Sequence, residues 1–438
     1  MEFEVIEQTY PEDFRSDITQ ELGEQLNKRH SVVFIGMRRV GISNFLRFFL
    51  YHKRLRHRFA HKQKHLFIPV DLNDLIERNT SAFWVLTLKR ILDAVEGVDF
   101  NPKTKKYIES LFLDGIQSKD LFILIENIKK ALNRIISEGA YPTIFFIRFD
   151  RITEAASAEF FANLEGIKSS THGKLSFVFT TSRGLNSISP KVFSHTSLSL
   201  AESEIFLKPA NEQDLRTICD AYIKRFGLRI SEDLENELIR LTGGYVQYLQ
   251  LALIGLNEPE NSINTAKELS DFLINDERIV LQSEELWEGL TESEQQTMLK
   301  VFKGQDVTDA EVKSGKYLIE SGFLVKENSG FRIFSPLFEN FLGGKPAAVK
   351  AEKSEGINNK LELSKKEHLL FSYLKENLGE ICEREAIIEA VWPEEEALGV
   401  SDWAIDRLVA RLRKKIKEEG GFEIVTVKTR GFKLISKD

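Results

Sequence analysis

The 438-residue sequence is short of the features that would staple, anchor or coat it. Cysteine occurs only at Cys219 and Cys382, far apart and with no neighbouring ligand pattern, so reduced structural thiols are expected rather than a disulfide framework or metal site. No stretch approaches the roughly 18 uncharged apolar residues of a membrane-spanning helix. The opening segment MEFEVIEQTYPEDF is acidic and lacks the basic region and apolar run of a signal peptide. A cytoplasmic protein with no membrane partner is the resulting expectation. Positive charge is also scarce, with 60 Lys and Arg against 67 Asp and Glu and a net charge of -7. Phosphate attraction needs positive charge where contact occurs, so a uniformly basic coat is excluded and a local basic face is not.

What is present is a globular composition, 42% hydrophobic and 29% charged, in a chain long enough for two to four domains. Apolar strands are expected at Ser31 to Gly36 (SVVFIG), Leu66 to Leu72 (LFIPVDL), Thr143 to Phe149 (TIFFIRF) and Leu175 to Thr180 (LSFVFT), alternating with helical stretches. Strands this apolar, spaced by helices, imply a parallel sheet covered on both faces. From Asn211 to Leu256 the pattern is helical, broken at Thr242-Gly243-Gly244. Helices followed by two apolar segments, at Gly322 to Val325 and Gly330 to Phe334, describe a first winged helix. The segment Gly343 to Lys360 has almost no large apolar residue and reads as a linker. The expected organisation is multidomain α/β and α+β: an NTPase-like domain over 10–205, a helical lid over 206–275, a winged helix over 280–342, the linker over 343–360 and a second winged helix over 361–438.

Residues Gly36 to Ser43, GMRRVGIS, have the spacing of G-x-x-x-x-G-K-[ST], with Ile42 in the lysine position. Loop amides and a helix amino terminus favour an anion, but isoleucine supplies no ammonium for the phosphates. The candidate nucleotide contacts are Gly36, Arg38, Arg39, Gly41, Ser43, Asp150 and Thr181, with Ser43 and Asp150 as metal ligands if nucleotide and Mg2+ bind. Arg38 and Arg39 are the candidates to replace the missing charge; the alternative is that they are solvated or in ordinary ion pairs. Asp150 is read as closing the strand IFFIRF, and Arg151 follows it where an ATPase of this sort places an acid.

This part of the chain resembles the signal-transducing ATPases with numerous domains, an AAA+-like branch related to archaeal ATPases and origin-recognition proteins. The resemblance covers residues 10–342 and rests on GMRRVGIS, FFIRFD, FTTSR at Phe179 to Arg183, LKP at Leu207 to Pro209, TGGYVQYLQ at Thr242 to Gln250 and FSPLFENFL at Phe334 to Leu342. It implies a P-loop NTPase-like sheet, a helical lid and a nucleotide-controlled switch taking ATP or ADP with Mg2+. Val246 stands where such relatives carry proline. With Ile42 and Arg151 it marks a departure from the active pattern, so no cofactor is required by this reading and no catalytic residue is assigned.

In the last domain, helices are expected around Leu363 to Leu374, at Arg384 to Val391 and from Ser401 or Asp402 through Ile416, with Ser364 and Glu367 forming a capping box. Along the third helix Ile405, Val409, Leu412 and Ile416 should pack inward while Arg407, Arg411 and Lys414 share another face. Six basic side chains, at 407, 411, 413, 414, 415 and 417, occur with no acid between Arg407 and Lys417. A hairpin then turns at Thr429-Arg430-Gly431. The motifs LSKKEHLLFSYL, REAIIEAVW, AIDRLVARLRKKI and VTVKTRGFKL closely resemble the OmpR/PhoB-type winged helix of bacterial response regulators. That resemblance implies duplex contacts from Arg407, Arg411, Lys414, Thr429 and Arg430; Trp403 is a further candidate. Phe432 replaces the usual tyrosine after the wing.

The sequence therefore reads as a sequence-specific transcription regulator of double-stranded DNA, nucleoid-associated, with a degenerate, non-hydrolysing NTPase-like sensory or scaffold module. The competing readings are an active DNA-dependent ATPase switch and a protein-interaction scaffold. RNA polymerase, through the loop Pro393 to Val400, and a second copy of the chain are the other candidate partners.

Overall fold

The computed structural model describes residues 5–52, 54–55, 64–118, 120–188, 198–258, 263–327, 330–348, 363, 365–392, 402–419, 421–427 and 430–436. It divides into two compact units, one formed by Met1–Ala221, Gly244–Gln247 and Tyr317–Phe323, the other by Tyr222–Gly243, Tyr248–Lys316 and Leu324–Asp438.

The first unit is built on five parallel strands, β1 (Val32–Gly36), β2 (Lys64–Asp71), β3 (Ala140–Ile147), β4 (Ser176–Thr181) and β5 (Ser203–Leu207), in the order β2-β3-β4-β1-β5. A parallel sheet with β1 between β4 and β5, and a glycine-containing loop leading from β1 into a helix, is a P-loop NTPase-like fold. The fifth strand, SEIFL, was not among the strands expected from the sequence; its burial alternates, whereas β1 and β4 are buried at every position. The central strands are apolar because both faces are covered. Adjacent residues of β3 point to opposite sides. Phe145 meets Phe67 edge-on at 5.5 Å on one face, and Phe146 joins Phe83, Phe177 and Phe179 at 4.9–5.6 Å on the other.

Two boundaries differ from the sequence reading. β3 ends at Ile147, because Arg148 takes a left-handed backbone (φ 59°, ψ 49°) and Phe149–Arg151 then form a single 3-10 turn. Asp150 consequently lies beyond the strand, not at its end. The helix Pro336–Ala348 also runs on through the first residues of the expected linker; residues 349–360 lie outside the described residues.

In the second unit the helices Glu232–Thr242, Ala266–Asn275, Glu277–Glu288 and Glu292–Phe302 precede the two-stranded hairpin of β6 (Leu324–Glu327) and β7 (Gly330–Ile333). All four of these helices start on side-chain caps, at Ser231, Thr265, Asp276 and Thr291. The carboxy-terminal part has helices Lys365–Glu376, Arg384–Val391 and Asp402–Glu419, with a three-stranded antiparallel sheet of β8 (Cys382–Glu383), β10 (Gly431–Ser436) and β9 (Phe422–Val427) in that order. Its core joins Leu370, Leu374, Ile387, Trp392, Ile405, Leu408, Val409, Leu412, Ile416, Phe432 and Leu434. Gly431 is required there, since a Cβ would come 2.0 Å from the Cys382 carbonyl oxygen. Cys219 and Cys382 are both buried, and neither is in a disulfide among the described residues.

Phe146 sits at the centre of the larger core. Phe146→Ala is expected to destabilise the first unit by about 3–5 kcal/mol, read as a lower urea midpoint for that unit's unfolding transition with an unchanged slope.

Candidate functional site

The loop between β1 and the helix Ile42–Tyr51 is shaped by two left-handed residues, Arg39 (φ 60°) and Gly41 (φ 110°). Gly41 is also needed for room, because a Cβ there would meet Val246 Cγ2 at 2.9 Å. Three consecutive residues of the TGGYVQYLQ motif close on this loop. The Tyr245 hydroxyl donates to the Arg38 carbonyl at 2.6 Å, Val246 packs at Gly41, and Arg39 Nη1 donates to Gln247 Oε1 at 3.3 Å. Ile42 turns its Cδ1 back toward Gly36, 3.2 Å from where that residue's Cβ would stand.

Ser43 and Asp150, the metal ligands expected if nucleotide and Mg2+ bind, each have a separate protein partner in the structure. Ser43 Oγ accepts from Arg148 Nη2 at 3.2 Å, and the same guanidinium forms an ion pair with Asp71 at the end of β2. The Arg148 amide donates to Thr180 Oγ1 at 2.7 Å, which locks the residue that ends β3. Asp150 turns instead to Ser182, accepting from its amide at 3.0 Å and from its hydroxyl at 3.2 Å. The physical reason is the left-handed turn at Arg148: it ends the strand early, so Arg148 rather than Asp150 is the first residue after the apolar run. Counting four apolar residues, Ile144 to Ile147, from the strand centre would have found it. Arg148, Asp71 and Gln247 are thus site residues that the sequence reading did not nominate.

Burial raises the Asp150 carboxyl above its usual 3.8, opposed by the Ser182 hydrogen bonds and the nearby Arg38 charge. Thr181 Oγ1 is buried, and among the described residues it has no hydrogen-bond partner. That orphaned hydroxyl would welcome a ligand. The rest of the donor set does not fit a magnesium nucleotide. The hydroxyl suited to a divalent cation already contacts a guanidinium, the acid beside it neutralises that guanidinium, and no lysine extends from position 42. A second cation would face Arg148 directly. Among the described residues no group of three or more His, Cys, Asp or Glu side chains is arranged to hold a metal.

In the carboxy-terminal part, the inward stripe of the helix Asp402–Glu419 is as expected, with Ile405, Val409, Leu412 and Ile416 at most 2% exposed. The basic side chains divide by task. Arg413 is structural: it donates to the Ile424 carbonyl at 2.8 Å and to Thr426 Oγ1 at 2.6 Å, fastening β9 to the helix. Lys415 pairs at 2.5 Å with Glu367, whose side chain is fully buried. Arg411 lies 3.3 Å from the other oxygen of that carboxylate. Glu367 therefore serves the third helix; Ser364, its expected capping partner, lies outside the described residues. Lys414 is exposed, and Arg430, in the turn just before β10, lies 3.4 Å from Glu383. Arg407 and Arg411 also reach acids of the helix Glu277–Glu288. The Trp403 side chain, Thr429 and the loop Pro393 to Val400 lie outside the described residues.

Three helices, a three-stranded sheet, and a third helix carrying cations on the side opposite the core make this part a winged helix. Residues 358–434 match the family model described as "Transcriptional regulatory protein, C terminal", and this segment is an OmpR/PhoB-type winged helix fused behind the NTPase-like unit. No curated protein matches the chain. Among solved structures, the chain is similar to the Walker-type ATPase of Pyrococcus abyssi at 13% identity, covering 77% of this chain and 100% of that one with a TM-score of 0.43. It is also similar to the ORC2 protein of Aeropyrum pernix in its ADP form, at 13% identity over 76% and 94% of the two chains and a TM-score of 0.41. For the ORC1 protein of Aeropyrum pernix in complex with DNA the values are 13%, 99%, 91% and 0.36. The assignment of the NTPase-like unit rests on its strand order and loop, not on these likenesses. Among the described residues no helix is long and apolar enough to cross a membrane.

The raised carboxyl of Asp150 gives a pH test. The folded protein holds this proton more tightly than the unfolded chain does, so the contribution is fully present below pH 3.8 and is lost as pH rises through the folded value. The melting temperature of Asp150→Asn relative to the wild type is expected to rise with pH across that window. A flat difference would show that Asp150 is not held in the buried setting described.

Proposed function

We propose that this protein is a transcription regulator that reads double-stranded DNA through residues 361–438, with the NTPase-like unit acting as a non-hydrolysing sensory or scaffold module. The observation that carries the proposal is the winged helix of the transcriptional-regulator family, whose third helix is anchored by an apolar stripe and keeps Arg407, Arg411 and Lys414 off the core. Helix side chains in a major groove supply base readout, and Arg430 at the hairpin suits the adjacent backbone or minor groove. Thr429 and Trp403 complete the proposed DNA surface. The working parts of this reading are 10–205, 206–275, 280–342 as a first winged helix, a linker over 343–360 whose first residues continue the helix Pro336–Ala348, and 361–438. A DNA target places the protein in the cytoplasm at the nucleoid; RNA polymerase and a second copy of the chain are the further partners of this reading.

The non-hydrolysing assignment is supported by Ile42 in the lysine position and by Arg148 on Ser43. Phosphoryl transfer depends on stabilising developing phosphate charge with a metal and a loop cation. Gly36, Arg38, Arg39, Gly41, Ser43 and Thr181 remain the residues that would line a bound ATP or ADP. Arg39 is engaged by Gln247, and the charge of Arg38 acts on Asp150.

Selection from a random-sequence duplex pool with the full chain tests the DNA reading. An enriched motif is expected, with Lys414→Ala or Arg430→Ala lowering the salt slope of binding by about one. No enriched sequence together with no salt-sensitive affinity would reject it. For the first unit, phosphate release from Mg2+-ATP is expected at background, with and without duplex. Turnover abolished by Asp150→Ala would overturn the non-hydrolysing assignment.

A further inference from the structure

The two arginines placed at the centre of the DNA-reading face are occupied within the second unit. Arg407 Nε lies 3.2 Å from Glu284 Oε2, and its Nη1 lies 3.2 Å from Glu288 Oε1. One turn further along, Arg411 Nη2 lies 3.5 Å from Glu277 Oε1. Glu277, Glu284 and Glu288 are spaced by seven and four residues, which puts them on one face of the helix Glu277–Glu288. Because Arg407 meets the carboxy-terminal acids and Arg411 the amino-terminal one, the two helices run antiparallel with charge matched along the contact.

Resting on the DNA-binding reading above, we infer that the helix Glu277–Glu288 is an internal competitor for DNA, which holds the recognition helix closed by offering carboxylate oxygens to the guanidinium groups that would otherwise meet phosphates and base edges. A duplex and this helix cannot share Arg407 and Arg411, so binding requires the acidic helix to leave. The contact suits that exchange. Its five side chains are each between 21% and 39% exposed, so the pairs are weakened by water and salt rather than sealed in a dry core. Arg413 to β9 and Lys415 to Glu367 fasten the winged helix internally without using Arg407; Arg411 serves both sides, its Nε 3.3 Å from the buried Glu367 and its Nη2 on Glu277. Release of the acidic helix therefore leaves the fold of the reader intact. Exposed Lys414 and Arg430 stay available for a first, weak encounter with a duplex. The NTPase-like unit or a partner can then regulate DNA binding by shifting the balance between the closed and the open states, without any chemistry on the DNA reader.

The test compares full-chain proteins by titration against a random-sequence duplex pool at low and moderate salt. The triple variant Glu277→Gln, Glu284→Gln, Glu288→Gln removes the competing charges while keeping side-chain size. It is expected to bind about tenfold more tightly than the wild type. A control with the same change in net charge, Glu232→Gln, Glu292→Gln, Glu339→Gln, is expected to change affinity less than about twofold. Should the triple variant fail to fold, Glu284→Gln alone is expected to tighten binding about threefold. Wild-type affinity in the acidic-helix variants, or equal tightening in the control, overturns the competitor while leaving DNA binding standing. No duplex binding by any of these proteins at low salt overturns both.

Discussion

The Arg148 guanidinium lies between the Asp71 carboxylate and the Ser43 hydroxyl, and its own amide is held by Thr180. One residue thereby ties the ends of β2, β3 and β4 to the helix that follows the glycine loop. In a P-loop arrangement this is the corner where positive charge must be placed to handle phosphate. Here the charge is covalently part of the chain and already neutralised by an acid of the neighbouring strand. The left-handed backbone that Arg148 adopts, uncommon for a residue with a side chain, is stabilised by this set of contacts. With Ile42 folded back toward Gly36, and Tyr245, Val246 and Gln247 closing on the loop, the unit keeps the P-loop NTPase-like shape while satisfying its own charges.

The winged helix solves a different electrostatic problem. A helix with six cations and no intervening acid between residues 407 and 417 repels itself unless some of that charge is matched. The fold matches it in two ways. Buried Glu367 takes Lys415 and approaches Arg411, and the β9 backbone takes Arg413, so these contacts set the position of the helix on its sheet. The remaining matching falls to Glu277, Glu284 and Glu288, acids that belong to another helix of the same unit. Cations that position the helix and cations that face outward are thus interleaved along one stretch of sequence, and only their partners distinguish them.

Much of the architecture was legible because burial leaves a period. The apolar strands β1 and β4, the inward stripe at Ile405, Val409, Leu412 and Ile416, and the helix Arg384–Val391 all follow from side-chain spacing. The strand β5 escaped because an alternating edge strand of five residues carries too weak a pattern. The end of β3 escaped because a single left-handed residue stops a strand without a glycine or proline to announce it.

By itself, the sequence determined an NTPase-like module ahead of a winged-helix module, an isoleucine at position 42 where the phosphate-loop pattern has lysine, and a basic third helix before a short wing. These are properties of composition and local periodicity, which act between neighbours in the chain. Tertiary structure alone decided which charge meets which. Arg148 finds Ser43 across 105 positions, Arg407 finds Glu284 across 123, and Lys415 finds Glu367 across 48. Coulomb energy depends on separation in space and on burial, and neither quantity is written in the spacing of residues along the chain.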